Sequence, residues 1–172
     1  MFFAAGFVCS GCSAEPSPEH DGGDDMSGGF VSSSFVELHS VFSSGMVVQR
    51  NAVLPVRGVN GTPGYPIRVV CSWMPDEHYD AMVGEDGTWC AEVPVHDAGG
   101  PYEIVVQGRN RVTLTDVMDG DVWLCAGQSN MQMMMTEIEN ADREILSATE
   151  SDIRLFNIES RVQSEVPVDN ID

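Results

Sequence analysis

The sequence predicts a small β-sandwich over residues 35–117, followed over residues 118–172 by the first strand–helix–strand unit of an α/β domain. In the first region, short runs alternate apolar and polar residues and are broken by turn residues every eight to twelve positions, which is typical of sandwiches. At Asp121 the pattern changes to a continuous apolar run followed by apolar residues at helical spacing. A chain of 172 residues has room for one ordinary domain, or for a small domain and part of another.

The β-sandwich is predicted from seven strand-like segments and the turns between them. Strong turn signals rich in Gly, Pro, Asn and Asp occupy residues 60–64, 85–87 and 97–101. No window of this region has the apolar stripe of a helix. The predicted strands cover residues 46–49, 53–59, 67–73, 79–83, 89–93, 102–107 and 111–116.

The α/β unit is predicted from the change of pattern that follows. Residues 122–126 are continuously apolar, as in a strand that is buried on both faces of a parallel sheet. Residues 153–158 form a second predicted strand, and strand–helix–strand is the right-handed unit of an α/β sheet. The helix between them, of about 17 residues, is predicted from apolar residues three, four and seven apart, namely Met131, Met134, Met135, Ile138, Ala141 and Ile145.

The N-terminal residues precede both units. Residues 1–12 resemble the apolar part and cleavage zone of a secretory signal without its basic start, and are interpreted as an incomplete signal peptide. Residues 13–34 are acidic and rich in Pro and Gly, which predicts a linker. Cys9 and Cys12 have the CxxC spacing but lack a second ligand pair, so a metal or redox site is not expected.

Charge excludes whole classes of partner. Eight arginines, no lysine and 27 acidic residues give a formal net charge of −19. Such a surface repels phosphate backbones and anionic lipid, so we expect no nucleic-acid partner and no membrane partner. After the first dozen residues, no apolar run approaches the roughly 18 residues that a membrane span needs. We expect an acidic, soluble and globular protein.

Two cysteines of the β region leave alternatives open. Cys71 and Cys90 lie on two predicted strands, and they would either form a disulfide across the sandwich or remain two buried thiols. Zinc binding by Cys71, His78 and Cys90 lacks a fourth ligand in register, so no metal is expected. No cofactor is expected either.

Other residues of the β region have both a functional and a structural interpretation. Asn60-Gly61-Thr62 is an N-glycosylation sequon on a turn, and a tripeptide that arose by chance is an equal alternative. Trp73 and Trp89 are interpreted as core residues rather than as platforms for sugar binding.

Ser129 is the candidate nucleophile. In α/β sheets the reactive group lies just beyond the carboxyl end of a strand, at the start of the next helix, and Ser129 has this place. The N–H groups of a helix N-terminus suit the stabilisation of an oxyanion. The alternative is that Ser129 only caps the helix. The Gly-x-Ser-x-Gly elbow of α/β-hydrolases is absent, because Met131 stands at the position of its last glycine.

A family resemblance favours the nucleophile. Residues 120–133, GDVWLCAGQSNMQM, closely resemble the nucleophile segment of the sialate O-acetylesterase family, which belongs to the SGNH-hydrolase superfamily of carbohydrate esterases. Over residues 35–117 the chain is similar to the family's N-terminal β-domain. Residues 118–172 resemble the start of its SGNH-type α/β domain, and the resemblance implies that this domain is truncated here. The matching segments are residues 44–49, 55–58, 61–64, 99–102, 141–144 and 153–155.

The resemblance implies removal of O-acetyl groups from sialic acids or related sugars. Ser129 would attack the ester carbonyl, and water would hydrolyse the acetyl-enzyme. The backbone N–H of Ser129 would be one oxyanion donor, while Gln128 and Asn130 would shape the site and bind substrate. The implied partner is an O-acetylated sialic acid or another acetylated glycan. The implied location, together with the leader, is secreted or endolysosomal.

The chain departs from the family pattern in its histidines. The family's catalytic histidine comes late, in an Asp-x-x-His arrangement, which this sequence lacks. Every histidine precedes Ser129, and two predicted strands alone do not make a stable open sheet. We therefore expect the front portion of an esterase, inactive alone. The alternatives are a non-enzymatic β-sandwich module that binds glycans and bears a vestigial esterase tail, and a mis-predicted gene fragment. The four histidines are His20, His39, His78 and His96.

Overall fold

The structure is a computed structural model that describes residues 30–127 and 129–157. The predicted signal-like residues 1–12, most of the predicted linker and Gln128 lie outside the described residues. All seven predicted strands are present. They are β1 (Val47–Gln49), β2 (Ala52–Gly58), β3 (Pro66–Cys71), β4 (Met74–Met82), β5 (Trp89–Val95), β6 (Gly99–Gln107) and β7 (Arg111–Gly120).

Five of these strands form a curled mixed sheet and two form a second sheet. The order in the larger sheet is β1-β7-β6-β3-β4, and the smaller sheet pairs β2 with β5. β1 runs parallel to β7, with Val47 opposite Met118, whereas the other strand pairs are antiparallel. The described residues are therefore mostly β.

One hydrophobic core joins the two sheets. Along β3, every second residue is buried, and β5 and the end of β6 alternate in the same way. This period of two places one row of each strand in the core and the other row outside. The fully buried side chains include Val56, Ile67, Val69, Cys71, Val93, Ile104, Val106 and Val117.

The strand ends differ from the prediction at β6 and β7. β6 begins at Gly99, inside the segment predicted as a turn, and β7 continues to Gly120. The ladder between them shifts register between Gly99 and Tyr102 and again between Tyr102 and Ile104. A regular ladder would exclude a Gly-Gly-Pro sequence from the sheet, whereas such bulges allow it to remain there.

The predicted strand–helix–strand unit is wrong for the described residues. Residues 122–126 form no strand, and Trp123 and Leu124 are 77% and 79% exposed. Residues 153–157 form no strand either, and residue 158 lies outside the described residues. A buried strand needs neighbours that satisfy its N–H and C=O groups, and no strand within the described ranges pairs with residues 122–126.

The predicted 17-residue helix is three short pieces instead. These are α1 (Ser129–Gln132), a 3-10 turn (Met135–Glu137) and α2 (Ala141–Ser147). Met134 has extended backbone before the turn, and Asn140 is left-handed before α2. Isolated helices of this length are marginal unless an apolar face packs, and neither the 3-10 turn nor α2 has a buried residue. None of the helices in the described ranges has the length and apolar composition needed to cross a bilayer.

Candidate functional site

Ser129 is the first residue of α1 and its side chain is exposed. Ser129 is thus within the helix rather than at the cap position before it. Asn130 follows in the same turn. The backbone therefore presents the candidate nucleophile at the surface, at the start of a helical turn.

Gly127 makes the tight approach to this turn. A methyl group at residue 127 would lie 2.5 Å from Cγ and 3.5 Å from Cβ of Met131. Real Cβ atoms do not come so close to another carbon, so a larger residue at position 127 would require the exposed side chain of Met131 to move aside. The signal in the sequence for this close approach is a glycine two residues before the serine.

β1 holds the chain where it leaves β7. The backbone N–H of Arg50 donates to the carbonyl of Gly120 at 2.8 Å, and that of Val122 donates to Oε1 of Gln49 at 2.9 Å. The Arg50 guanidinium contacts both carboxylate oxygens of Asp121, at 2.9 and 3.2 Å. This contact raises the pKa of Arg50 and lowers the pKa of Asp121.

After Ser129, a second arginine, Arg154, contacts β7. The half-buried guanidinium of Arg154 donates to the backbone carbonyl of Asp116 and, at 2.9 Å, to its Oδ1. Residues 121–157, which we call the serine segment, are thus attached near one end to the end of β1 and near the other end to β7. No local pattern in the sequence marks Arg50 or Arg154, because their partners are 71 and 38 residues away.

No histidine among the described residues contacts Ser129. His39 is buried, and its backbone bonds to Arg57 and Phe42. His78 Nε2 lies 3.9 Å from Oδ2 of Asp80 on β4. His96 Nε2 lies 3.2 Å from the sulfur of Met74.

Asp119 is a buried carboxylate beside the start of the serine segment. It is 3% exposed on β7, and its Oδ1 has no hydrogen-bond partner. Burial raises its pKa to about 6, although the nearby charge of His96 acts to lower it. Burial and the charge of Asp119 together raise the pKa of Cys71 to about 12. No local pattern in the sequence marks Asp119.

Cys71 and Cys90 are not joined by a disulfide. Cys71 faces the core from β3 in the larger sheet. Cys90 lies on β5 in the smaller sheet, between the buried residues Trp89 and Ala91, so it belongs to the outward row. Among the residues the structure describes, no group of three or more His, Cys, Asp or Glu is arranged to hold a metal ion, and Cys71, His78 and Cys90 do not form one.

The tryptophans and the sequon occupy different environments. Trp89 is 3% exposed, and Trp73 packs against the core with its indole N–H donating to the carbonyl of Pro94 at 3.0 Å. Their interpretation as core residues is confirmed. Asn60 is exposed in a left-handed turn conformation, and its amide donates to Oε2 of Glu37 at 3.0 Å.

Comparison with known proteins finds relatives of one kind. The chain is 33% identical over 152 residues to the sialate O-acetylesterase of Mus musculus, an alignment covering 83% of this chain and 27% of the mouse protein. It is 30% identical over 141 residues to that of Homo sapiens, covering 77% of the chain and 27% of the human protein. No family model matches the chain.

A solved structure agrees with the sequence relatives. A carbohydrate acetylesterase from Xanthomonas citri superposes with a TM-score of 0.61 and 29% identity, over 69% of this chain and 26% of that one. The relatives define a class, the carbohydrate esterases. Within it, the resemblance to the sialate O-acetylesterase family is confirmed. It spans about a quarter of the curated relatives it matches.

Proposed function

We propose that this chain supplies the β unit and the serine nucleophile of a carbohydrate O-acetylesterase. The observation that carries the proposal is the exposed Ser129 in the block GDVWLCAGQSNMQM, in a chain 33% identical to a sialate O-acetylesterase over 152 residues. The substrates are O-acetylated sialic acids or other acetylated glycans. The names of the relatives support acetylated carbohydrate as the substrate class.

The proposed reaction has two steps. Ser129 Oγ attacks the carbonyl carbon of the acetyl ester, the sugar hydroxyl leaves with a proton, and the acetyl group stays on the serine. Water then attacks the acetyl-enzyme, which releases acetate and restores Ser129. The backbone N–H of Ser129 stabilises the oxyanion, and Gln128 and Asn130 shape the site around the ester.

The general base of this reaction comes from outside these 172 residues. All histidines of the sequence precede Ser129, and the described ones have other surroundings. Without one triad member, a hydrolase of this kind retains only about 10³- to 10⁴-fold catalysis over water. We therefore propose that the 172-residue chain alone is inactive and that a longer protein carries the activity.

The exposed apolar residues of the serine segment fit this proposal. Val122, Trp123 and Leu124 are 55%, 77% and 79% exposed, although their sequence is that of a strand buried on both faces. We propose that residues 118–172 begin an SGNH-type α/β domain whose further strands pair with residues 122–126. Residues 35–117 are then the preceding β-sandwich domain, for which the single core shared by two sheets is support.

A non-enzymatic glycan-binding module is the second candidate. The observation that favours it is that the core lies within the β region, with no contribution from residues 121–157. The serine segment is then a remnant. Binding of an acetylated glycan that survives Ser129→Ala, without labelling of Ser129 in native material, would support this candidate over the esterase.

The location we propose is secreted or endolysosomal. The apolar residues 1–12 and the exposed sequon at Asn60 are the support for it. Native protein recovered from the secretory pathway with a glycan on Asn60 is the expected result. A native protein that resides in the cytosol would contradict this location.

The test of the esterase compares the 172-residue chain with the native protein. A fluorophosphonate probe is expected to label Ser129 in native material, with hydrolysis of O-acetylated sialic acid that Ser129→Ala abolishes. Ser151→Ala, another exposed serine of the same segment, is the matched control and keeps both signals. The 172-residue chain should show neither signal.

Transcript sequence and native mass complete this test. Reading the transcript beyond codon 172 should reveal an extension that carries Asp-x-x-His. A native mass near 18.7 kDa without probe labelling would contradict the proposal. Turnover by the 172-residue chain that depends on Ser129 would contradict its expected inactivity.

A further inference from the structure

Two arginine–aspartate pairs attach the serine segment to the larger sheet, one just after β1 and one on β7. Arg50, just after β1, contacts both oxygens of Asp121 at the end of β7. Arg154 contacts the carbonyl and the carboxylate of Asp116, five residues earlier along the chain. The 32 residues 122–153, with Ser129 among them, therefore leave β7 and return to it between two ion pairs.

The first pair belongs to a wider set of bonds. Arg50 uses its guanidinium on Asp121 and its backbone N–H on the carbonyl of Gly120, while Gln49 accepts from the N–H of Val122. Three consecutive residues, Gly120, Asp121 and Val122, are thus bound in place, which fixes the direction of the chain after β7. A two-pronged guanidinium–carboxylate contact also fixes orientation, which a single point contact does not.

The second pair depends on a bulge in β7. Two steps along β6, from Tyr102 to Ile104, match three steps along β7, so one residue of β7 is extra. Asp116 lies in this bulge with a φ of 58°, a left-handed conformation that Asp adopts more readily than most residues. Bulges commonly change the direction of a side chain. Here the bulge turns the backbone carbonyl oxygen and Oδ1 of Asp116 toward Arg154.

We propose that Arg50 and Arg154 are positioning residues, which close the serine segment onto the side of the larger sheet formed by β1 and β7 and thereby hold Ser129 at a fixed place beside the β unit. The catalytic consequence of this closure rests on the proposed function, whereas the closure itself does not. Neither arginine contacts Ser129, and both act through the backbone that carries it.

Trypsin provides a direct readout of this closure. The chain contains no lysine, so trypsin cleaves it only after arginine, and Arg143 lies exposed in α2 between the two pairs. Proteolysis measures how often a segment opens. We expect Arg50→Gln and Arg154→Gln each to accelerate cleavage after Arg143 by roughly three- to tenfold, because each change frees one end of the segment.

Arg68→Gln is the matched control. Arg68 makes the same two-pronged contact with Asp80, at 2.8 and 2.7 Å, but within the β unit between β3 and β4. Its loss removes the same charge and leaves cleavage after Arg143 unchanged. An equal acceleration in Arg68→Gln would indicate general destabilisation and overturn the proposal.

A charge exchange tests the first pair independently. The double variant Arg50→Asp with Asp121→Arg restores the ion pair, so cleavage after Arg143 should return to within about twofold of the parent chain. The second pair is unsuited to this exchange, because arginine at the left-handed position 116 would be strained. Cleavage that stays fast in the double variant overturns the proposal, as does an unchanged rate in either single variant.

Kinetics of the native protein separate this inference from the proposed function. For an acetyl ester substrate, Arg50→Gln and Arg154→Gln should lower kcat several-fold and leave KM nearly unchanged, because they displace the nucleophile and not the sugar. Faster cleavage with an unchanged kcat overturns the positioning role. Absence of Ser129-dependent turnover in the native protein overturns the proposed function, while the cleavage rates still decide whether the pairs close the segment.

Discussion

Asp119 brings an ionisable side chain into the core of an already acidic chain. It is 3% exposed, its Oδ1 has no partner, and burial raises its pKa from 3.8 to about 6. The folded state therefore binds its proton more tightly than the unfolded state does. The stability that this proton contributes is complete below about pH 4 and is lost as the pH rises to about 6. The charged group that acts on Asp119 is His96, which opposes the effect of burial.

We expect Asp119→Asn to stabilise the chain at pH 7 by roughly 1 to 3 kcal/mol, because it removes a buried charge. Urea denaturation from pH 4 to pH 8 measures this difference, which should shrink toward zero at the acid end. Glu103→Gln removes one charge from an exposed site on β6 and is the control. A difference between Asp119→Asn and the parent chain that does not vary with pH would show that the carboxylate is not the cause.

Gly58 carries a different constraint, which is steric. A methyl group there would overlap the backbone carbonyl of Glu37 and the indole of Trp89. The carbonyl of Glu37 accepts from the backbone N–H of Val59 and cannot move aside without losing this bond, so we expect Gly58→Ala to lower the free energy of unfolding by about 2 to 4 kcal/mol. At Gly120 an added methyl would meet only Cγ1 of Val47, at 3.1 Å. Gly120→Ala should therefore lose less than about 1 kcal/mol in the same urea titration.

The predicted strands and the predicted helix differ in how far their own sequence determines whether they form. The seven strands can be predicted from the alternation of apolar and polar residues, because one row of side chains on each strand must enter the core while the other row faces outward. Val69 and Val106 are such inward residues. Residues 122–126 have an equally strong apolar pattern, but a strand needs neighbours to pair with, and a local pattern says nothing of these. The same limit applies to the predicted helix, because neither the 3-10 turn nor α2 has a buried residue.

The serine segment should accordingly add little to the stability of the chain. Leu124 is 79% exposed, whereas Leu114 on β7 is 6% exposed in the core. We expect Leu114→Ala to cost about 2 to 4 kcal/mol and Leu124→Ala less than about 0.5 kcal/mol, measured by urea denaturation of the 172-residue chain. The two substitutions are chemically identical, so only burial distinguishes them. A large loss from Leu124→Ala would mean that residues 122–126 are packed in this chain.

On the scale of the whole molecule, the candidate site is known from sequence only in part. Ser129 is recognisable because its neighbours form a continuous block that resembles a known family. Arg50 and Arg154 are not recognisable, because each meets its aspartate only after the chain has folded. Asp119 looks like any acidic residue of β7 until the burial of its side chain is known. Local motifs thus mark the candidate nucleophile, and tertiary contacts show where the segment that carries it is attached to the sheet.

The net charge of −19 makes the folded chain sensitive to salt. Among the described residues, attraction between opposite charges occurs in three arginine–aspartate ion pairs, those of Arg50, Arg68 and Arg154. The 27 acidic residues of the chain far outnumber its eight arginines, so repulsion exceeds attraction overall.

Salt shortens the screening length from about 10 Å at 0.1 M to about 3 Å at 1 M, which weakens long-range repulsion more than close pairs. We therefore expect the thermal midpoint of unfolding to rise by several degrees when NaCl increases over this range at pH 7. At pH 4 many carboxylates are protonated, and the same change in salt should have a smaller effect. A midpoint that falls with salt at pH 7 would mean that the three ion pairs outweigh the repulsion of the whole chain.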